Sequence, residues 1–323
     1  MIKKKLTSND FLEVVSTAFE NHAGDLGTAE WGCRLLHILI DESLSTYARM
    51  RNAGLCEMVV SAVQRQAISD QICHLGCQVI GDLACDVQNH DRLAAAGACE
   101  AACGALRRHD DEIEVVVNAC YAIHFLCNTQ NNVGWIGANG GCEAVTNALV
   151  KHTDRDIQST QYAARALGSL AAKDEGNMVR IFEAGGCAAI VAALRAHKAD
   201  RETCEFCCRA VYHLCGDNTN VKDLGDKGAC GLVVQVLVSH KTIGSVVKQA
   251  CLAISGLAVR ARTDKVHKTN TRKLVARSAV ESVVGSLKTY STEHDVVRAC
   301  AMAVTALSRL DENRLKVRPF LSP

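Results

Sequence analysis

A fourteen-residue pattern returns along this chain at a nearly constant interval, and that return constrains the fold more than any other feature. The copies are AGLCEMVVSAVQRQ from Ala53, AGACEAACGALRRH from Ala96, NGGCEAVTNALVKH from Asn139, AGGCAAIVAALRAH from Ala184 and KGACGLVVQVLVSH from Lys227. A sixth, RSAVESVVGSLKTY from Arg277, keeps the pattern with Val280 where the others carry cysteine. The aligned positions Cys56, Cys99, Cys142, Cys187, Cys230 and Val280 are spaced 43, 43, 45, 43 and 50. A second series of apolar residues lies between the copies: Ile40, Leu83, Leu126, Leu170, Leu214, Leu257 and Leu307, spaced 43, 43, 44, 44, 43 and 50. Two registers with the same drift describe one repeated structural unit. Such a unit cannot bury its apolar faces alone, so neighbours must stack and bury them together.

Each unit reads as three helices. HDRLAAAG forms a short first helix ended by Gly97, a residue that tolerates left-handed backbone angles. ACEAACGALRRH forms a second helix with Ala98, Ala102, Ala105 and Leu106 on one stripe. DEIEVVVNACYAIHFLC forms a third, whose Ile113, Val116, Ala119, Cys120, Ile123 and Leu126 follow the spacing of a buried face. Asp110 and Asp111 are expected to cap that third helix, with Asp154, Asp200 and Asp295 recurring near the same place. Truncating Leu126 to Ala should cost about 2–5 kcal/mol, as for other large core deletions. The fold class is therefore all-α, a right-handed α-solenoid superhelix of three-helix repeats. Residues 1–42 read as an N-terminal half repeat or cap, 43–310 as six repeats, and 311–323 as a tail or the start of a truncated repeat.

Composition agrees with this. Two prolines, 4% aromatics and 48% hydrophobic residues suit helices that bury a core. A net charge of +1 supplies no global field toward nucleic acid or an anionic membrane. No apolar run reaches the roughly 18 residues of a membrane helix, and MIKKKLTSNDFLEVV lacks the apolar core of a secretory signal. The 18 cysteines occupy helical positions where Ala, Ile or Val would also fit. They read as small buried hydrophobes in a reducing compartment, which sets cytoplasmic localisation as the expectation.

The period, the short helix ending in A-G-G or A-G-A, and third helices such as QYAARALGSLA and QACLAISGLAV resemble the armadillo repeat family over residues 30–310. NMVRIFEAGGCAAIVAAL, Asn177 to Leu194, is the strongest stretch of the resemblance. HEAT-like solenoids are the nearest structural alternative. The resemblance implies a binding scaffold whose third helices line a concave groove. In importin-α and β-catenin types, an asparagine ladder there holds a ligand backbone and tryptophans clamp its side chains. Here the asparagine place is taken by Asp82, Phe125, Ser169, His213, Gly256 and Ala306. The tryptophan place is taken by Gln78, Tyr121, Arg165, Arg209, Leu252 and Met302. Neither ladder survives, so the partner must be of another kind.

The candidate partner site is Gln78, Asp82, Tyr121, Phe125, Arg165, Ser169, Arg209 and His213, on third helices roughly 10 Å apart. Arg165 and Arg209 would make a cationic row and Tyr121 and Phe125 an aromatic step, which suits an acidic or phosphorylated protein segment with an apolar anchor. The bland reading pairs the arginines with Glu205 or Asp82 and packs the aromatics within the solenoid. A second candidate is the basic stretch Arg260 to Arg277, read as a loop, with Arg260, Arg262, Lys265, Lys268, Arg272 and Lys273 and a net +6. Without an aromatic to stack a base, it points away from nucleic acid.

The histidines closing the second helices, His109, His152, His197 and His240, stand one per repeat and are too far apart to share an ion. They read as C-terminal caps on free carbonyls. Cys204, Cys207, Cys208, His213 and Cys215 form a local cluster, but Cys204-x-x-Cys207 has no partner motif at zinc-site spacing. No phosphate-loop, dinucleotide, metalloprotease or nucleophile-elbow motif is present. The expectations are a non-catalytic scaffold, no cofactor, no metal, and a protein or peptide partner rather than a small molecule. The alternative is a structural accessory subunit of a cytoskeletal, ciliary or organellar complex.

Overall fold

The computed structural model describes residues 8–22, 24–40, 43–259 and 264–309. Arg260 and Arg262 of the basic stretch, and the proposed 311–323 tail, lie outside the described residues. Every regular element described is helical. The chain divides into two compact units, residues 1–148 and 149–323.

In the first unit, α1 (Asn9–Asn21) and α2 (Leu26–Leu39) precede two triplets. These are α3 (Leu44–Asn52), α4 (Leu55–Arg65) and α5 (Asp70–Leu83), then α6 (His90–Ala96), α7 (Ala98–Arg108) and α8 (Ile113–Leu126). A third triplet begins with α9 (Gln130–Ala138) and α10 (Gly141–His152). The second unit holds α11 (Ile157–Ala172) and the triplets α12 (Glu175–Glu183), α13 (Gly186–Ala196) and α14 (Arg201–Leu214), and α15 (Asn218–Asp226), α16 (Ala229–Ser239) and α17 (Gly244–Val259). It closes with α18 (Asp264–Val275), α19 (Ala279–Thr289) and α20 (His294–Leu307).

The corner between first and second helices is made by one left-handed residue. Gly54, Gly97, Gly140, Gly185 and Gly228 all have positive φ, between 77° and 97°. Glycine pays no Cβ clash there. In the last triplet Ser278 occupies the corner at φ 60°.

The buried stripe of α8 is as the periodicity requires at Val116, Ala119, Cys120, Ile123 and Leu126, all 0% exposed. Ile113 departs from it, at 43% exposed. It is the first residue of the helix and lies on the rim of a hollow lined by Asp70, His74 and Glu114. The capping expectation also changes. Asp200 caps α14 by accepting from the Thr203 amide at 2.8 Å. For α11 the cap is Asp156, not Asp154, accepting from the Ser159 amide at 2.6 Å. The residue before α8 is Glu112, which makes no capping bond, so Asp110 and Asp111 sit in the preceding turn. Asp295 lies inside α20 and accepts from Lys248 Nζ at 2.5 Å.

Two polar series stitch successive triplets. The histidines do bond carbonyls, but those of the preceding triplet rather than of their own helix. His109 Nε2 donates to Ala67 O at 2.9 Å, and His240 Nε2 to Lys198 O at 2.9 Å. Gln66 and Tyr290 serve the same place at the two ends, donating to Gly24 O at 3.2 Å and Lys241 O at 3.0 Å. His152 is buried at the corresponding position of α10.

The second series is asparagine. Asn89, Asn132 and Asn177 are buried and donate to the carbonyls of Leu83, Leu126 and Leu170, the ends of the preceding third helices, at 2.8, 3.0 and 3.2 Å. Asn220 and Asn270 donate instead to first-helix carbonyls of the previous triplet, Met178 O at 3.1 Å and Val221 O at 3.0 Å. The buried ends of α5, α8 and α11 need donors such as Asn89, Asn132 and Asn177, because an unpaired carbonyl away from water is costly.

The basic stretch, expected as a loop, is helical from residue 264 as α18. Its packing stripe is Asn270, Thr271 and Leu274, all buried. Two of those three are polar, which hid the amphipathic signal beneath the surrounding charge.

Candidate functional site

Each unit holds some of the candidate residues on its own third helices and arranges them in its own way. In the first unit, α5 and α8 bring Gln78, Asp82, Tyr121 and Phe125 together, and α2 adds His37. Tyr121 OH donates to Asp82 Oδ1 at 2.9 Å, and His37 Nδ1 lies 3.2 Å from Asp82 Oδ2. A carboxylate only accepts, so the proton sits on Nδ1. That leaves His37 Nε2 to accept from Gln78 Nε2 at 3.4 Å. The result is one continuous run, Gln78 to His37 to Asp82, closed from the other side by Tyr121.

Gly81 makes room for this. A Cβ there would stand 2.3 Å from Tyr121 Cδ1. Burial, reinforced by the Asp82 charge, pushes the Tyr121 phenol well above its ordinary value, so it stays a donor. The ring of Phe125 is held edge-on between Tyr121, 4.9 Å away, and His124, 4.7 Å away. Asp82 is thus engaged by Tyr121 and His37, not by an arginine. Cys85, the exposed cysteine, lies 3.9 Å from the Tyr121 hydroxyl.

In the second unit, α11 and α14 set Arg165, Phe206 and Arg209 side by side. The Arg165 guanidinium carbon stands 5.2 Å over the Phe206 ring centroid. Burial disfavours the charged form of Arg209, the neighbouring Arg165 disfavours it further, and Glu205 works the other way. Glu205 also accepts from Ser245 Oγ at 2.7 Å, so its charge is shared with α17. Two half-buried guanidiniums therefore repel each other on one face, with one of them supported on an aromatic plane.

Ser169 is buried and turns its hydroxyl to Arg165 O at 3.1 Å. His213 is half-buried against Tyr212, with ring centroids 5.2 Å apart. Along the remaining third helices, Leu252 is half-buried, Gly256 and Ala306 are buried and Met302 is exposed. The position read as the asparagine place therefore sinks into the core toward the end of the chain.

Of the basic stretch, Lys265 and Lys268 are exposed on α18, as is Arg272. Lys273 is turned inward and donates to Gly225 O at 2.9 Å and to Asp226 Oδ1 at 3.2 Å. In the cysteine cluster, Cys204 donates to Lys198 O at 3.4 Å, and burial pushes its thiol up to about 12. Cys207, Cys208 and Cys215 are wholly buried. The described residues contain no group of three or more His, Cys, Asp or Glu placed to hold a metal ion. No single described helix is long and apolar enough to cross a membrane.

Reading by sequence missed His37 and Phe206. His37 lies in the incomplete first repeat, where no aligned copy guides the eye. Phe206 stands three residues before Arg209, one helical turn away, a spacing that does place it beside the predicted row.

Among solved structures, an engineered protein superposes with a TM-score of 0.75 at 20% identity, covering 92% of this chain and 68% of its own. A β-catenin structure, from work on a phosphorylation switch controlling the interaction between cadherin and β-catenin, gives 0.71 at 14% identity, covering 98% of this chain and 60% of its own. A designed armadillo repeat protein in complex with the peptide (KR)4 gives 0.61 at 18% identity, covering 78% and 98%. At such identities the likeness establishes the fold, an armadillo solenoid. The curated proteins contain no match. The LRRK2 ARM repeat family model matches residues 86–285, more than half of the chain, so the chain belongs to the LRRK2 ARM repeat family.

Proposed function

We propose that this protein is a non-catalytic scaffold, with six armadillo repeats over 43–310 capped by 1–42, that binds an acidic or phosphorylated protein segment on the third helices. The observation that carries the reading is the Arg165–Phe206–Arg209 face. Burying two mutually repelling guanidiniums costs stability, and an incoming carboxylate or phosphate would offset that cost with charge-assisted hydrogen bonds. The designed relative holds a basic (KR)4 peptide, and this face carries the opposite charge preference. The phosphorylation switch between cadherin and β-catenin is a precedent for phosphate control on this fold. The buried state of every cysteine but Cys85 supports a reducing, cytoplasmic setting.

Fluorescence anisotropy with labelled phosphoserine and glutamate-rich peptides tests this. Arg165→Glu with Arg209→Glu should weaken binding roughly tenfold or more, since hydrogen bonds to charged groups contribute about 1.5–3 kcal/mol. Equal affinity in a variant whose circular dichroism is intact rejects the site. Absence of any peptide binding by the wild type rejects the acidic partner.

A second reading, an accessory subunit within a larger assembly, has its own observation. Trp31, Ile38 and Leu44 near the start of the first unit are 71%, 65% and 75% exposed. Trp31→Ser with Ile38→Ser should then release the chain from that assembly, and unchanged co-purification would count against it.

A further inference from the structure

Third helices of the second unit carry buried cysteines: Cys208 on α14, Cys251 on α17 and Cys300 on α20. All three are 0% exposed. Cys251 Sγ and Cys300 Sγ lie only 3.6 Å apart, in direct sulfur-to-sulfur contact. Neither sulfur belongs to the proposed partner-binding residues, none of which lies on α17 or α20.

We propose that Cys251 and Cys300 form a redox dithiol that a peroxide converts into a disulfide tying α17 to α20. The two sulfurs share one S–H···S hydrogen bond that either can donate. Cys300 is the attacking sulfur and Cys251 the resolving one, because solvent reaches the pair from the Cys300 side. Access comes through α20. Its Ala301, Met302 and Thr305 are exposed, so a local opening of this helix brings Cys300 to solvent.

The steps balance. The Cys300 thiolate attacks one peroxide oxygen, the O–O bond breaks, and the departing hydroxide takes up the thiol's proton as water. Cys300 is left as a sulfenic acid. Cys251 sulfur then attacks Cys300 sulfur, the S–S bond forms, the S–O bond breaks, and the oxygen leaves as a second water with the Cys251 proton. The two thiols lose two electrons and hydrogen peroxide gains them. The bond would hold the last triplet to the one before it in oxidised protein and release it under reduction.

The test uses the full chain, with hydrogen peroxide titrated until exposed Cys85 is completely modified. Remaining thiols are then alkylated in denaturant and the digest is analysed by mass spectrometry without reduction. The expected result is loss of alkylation at both Cys251 and Cys300, a linked peptide joining them, and recovery of both thiols with dithiothreitol. Cys251→Ala should abolish the linked peptide and leave Cys300 trappable by dimedone. If Cys85 is fully modified while Cys251 and Cys300 in the wild type are still alkylated, or if Cys300 links to a different cysteine, the proposal is overturned.

Discussion

His197 donates its Nε2 hydrogen to the main-chain carbonyl of Thr153 at 2.6 Å, reaching back from the end of α13 to the turn before α11. A carbonyl only accepts, so the ring is held with the proton on Nε2. The bond ties one triplet to the helix-2 to helix-3 turn of the triplet before it. His197→Ala should destabilise the second unit by about 1 kcal/mol, the usual net worth of an internal hydrogen bond. His197→Gln should recover part of the loss, because Gln66 makes the equivalent bond in the first unit. Urea unfolding followed by circular dichroism reads both, and a neutral alanine variant would show that the contact contributes nothing.

The left-handed corners allow a paired experiment. A Cβ on Gly185 would meet no atom within 4 Å, so Gly185→Ala isolates the backbone cost of φ 83°. That cost is about 1 kcal/mol of lost stability. Ser278 already pays it at φ 60°, and Ser278→Gly should raise stability by some tenths to about 1 kcal/mol. Opposite shifts in thermal midpoint are expected; shifts of the same sign contradict the assignment of these corners.

Asn132 is 4% exposed and its amide answers the last carbonyl of α8, Leu126 O. Replacing it with Leu leaves that carbonyl buried and unpaired, at a cost of about 1–3 kcal/mol. Hydrogen exchange should show faster opening at the end of α8. Leu126→Ala in the same helix should cost about 2–5 kcal/mol, through lost burial and a cavity.

Asp200 predicts a pH dependence. Desolvation tends to raise its carboxyl, but the Thr203 hydroxyl and amide and the Gln161 amide overcome this and hold it below the ordinary value. A depressed folded value means the contribution is present above the unfolded carboxylate range and fades as pH falls through the folded value. The stability gap between wild type and Asp200→Ala, about 1 kcal/mol at neutral pH for a lost cap, should therefore narrow below roughly pH 4. A gap that is constant down to acid unfolding removes the carboxylate from the account.

Phe206 tests the platform beneath Arg165 without touching a charge. Phe206→Leu keeps bulk but removes the ring face, and acidic-peptide affinity should drop roughly two- to five-fold, as for an exposed cation–π contact. Unchanged affinity would separate the ring from the binding face.

The sequence by itself determined the repeat, the three-helix unit, the glycine corners and the buried face of the third helix. Each of these is a periodic demand that one chain position makes on its own backbone or on the nearest water. It also placed Arg165 with Arg209, because a fixed repeat length puts equivalent residues on neighbouring helices, and Tyr121 with Phe125, because they stand one turn apart on α8. It could not say what those residues touch. Asp82 could have met an arginine, but Tyr121 and His37 reached it first. The histidines were legible as carbonyl partners, yet whose carbonyl they bond depended on how far one triplet overhangs the next. The helix α18 was hidden because Asn270 and Thr271 pack where apolar residues were sought. Contact between Cys251 and Cys300 was likewise decided only in three dimensions. Register along a helix follows from spacing, whereas the distance between side chains on different helices follows from how closely their backbones pack.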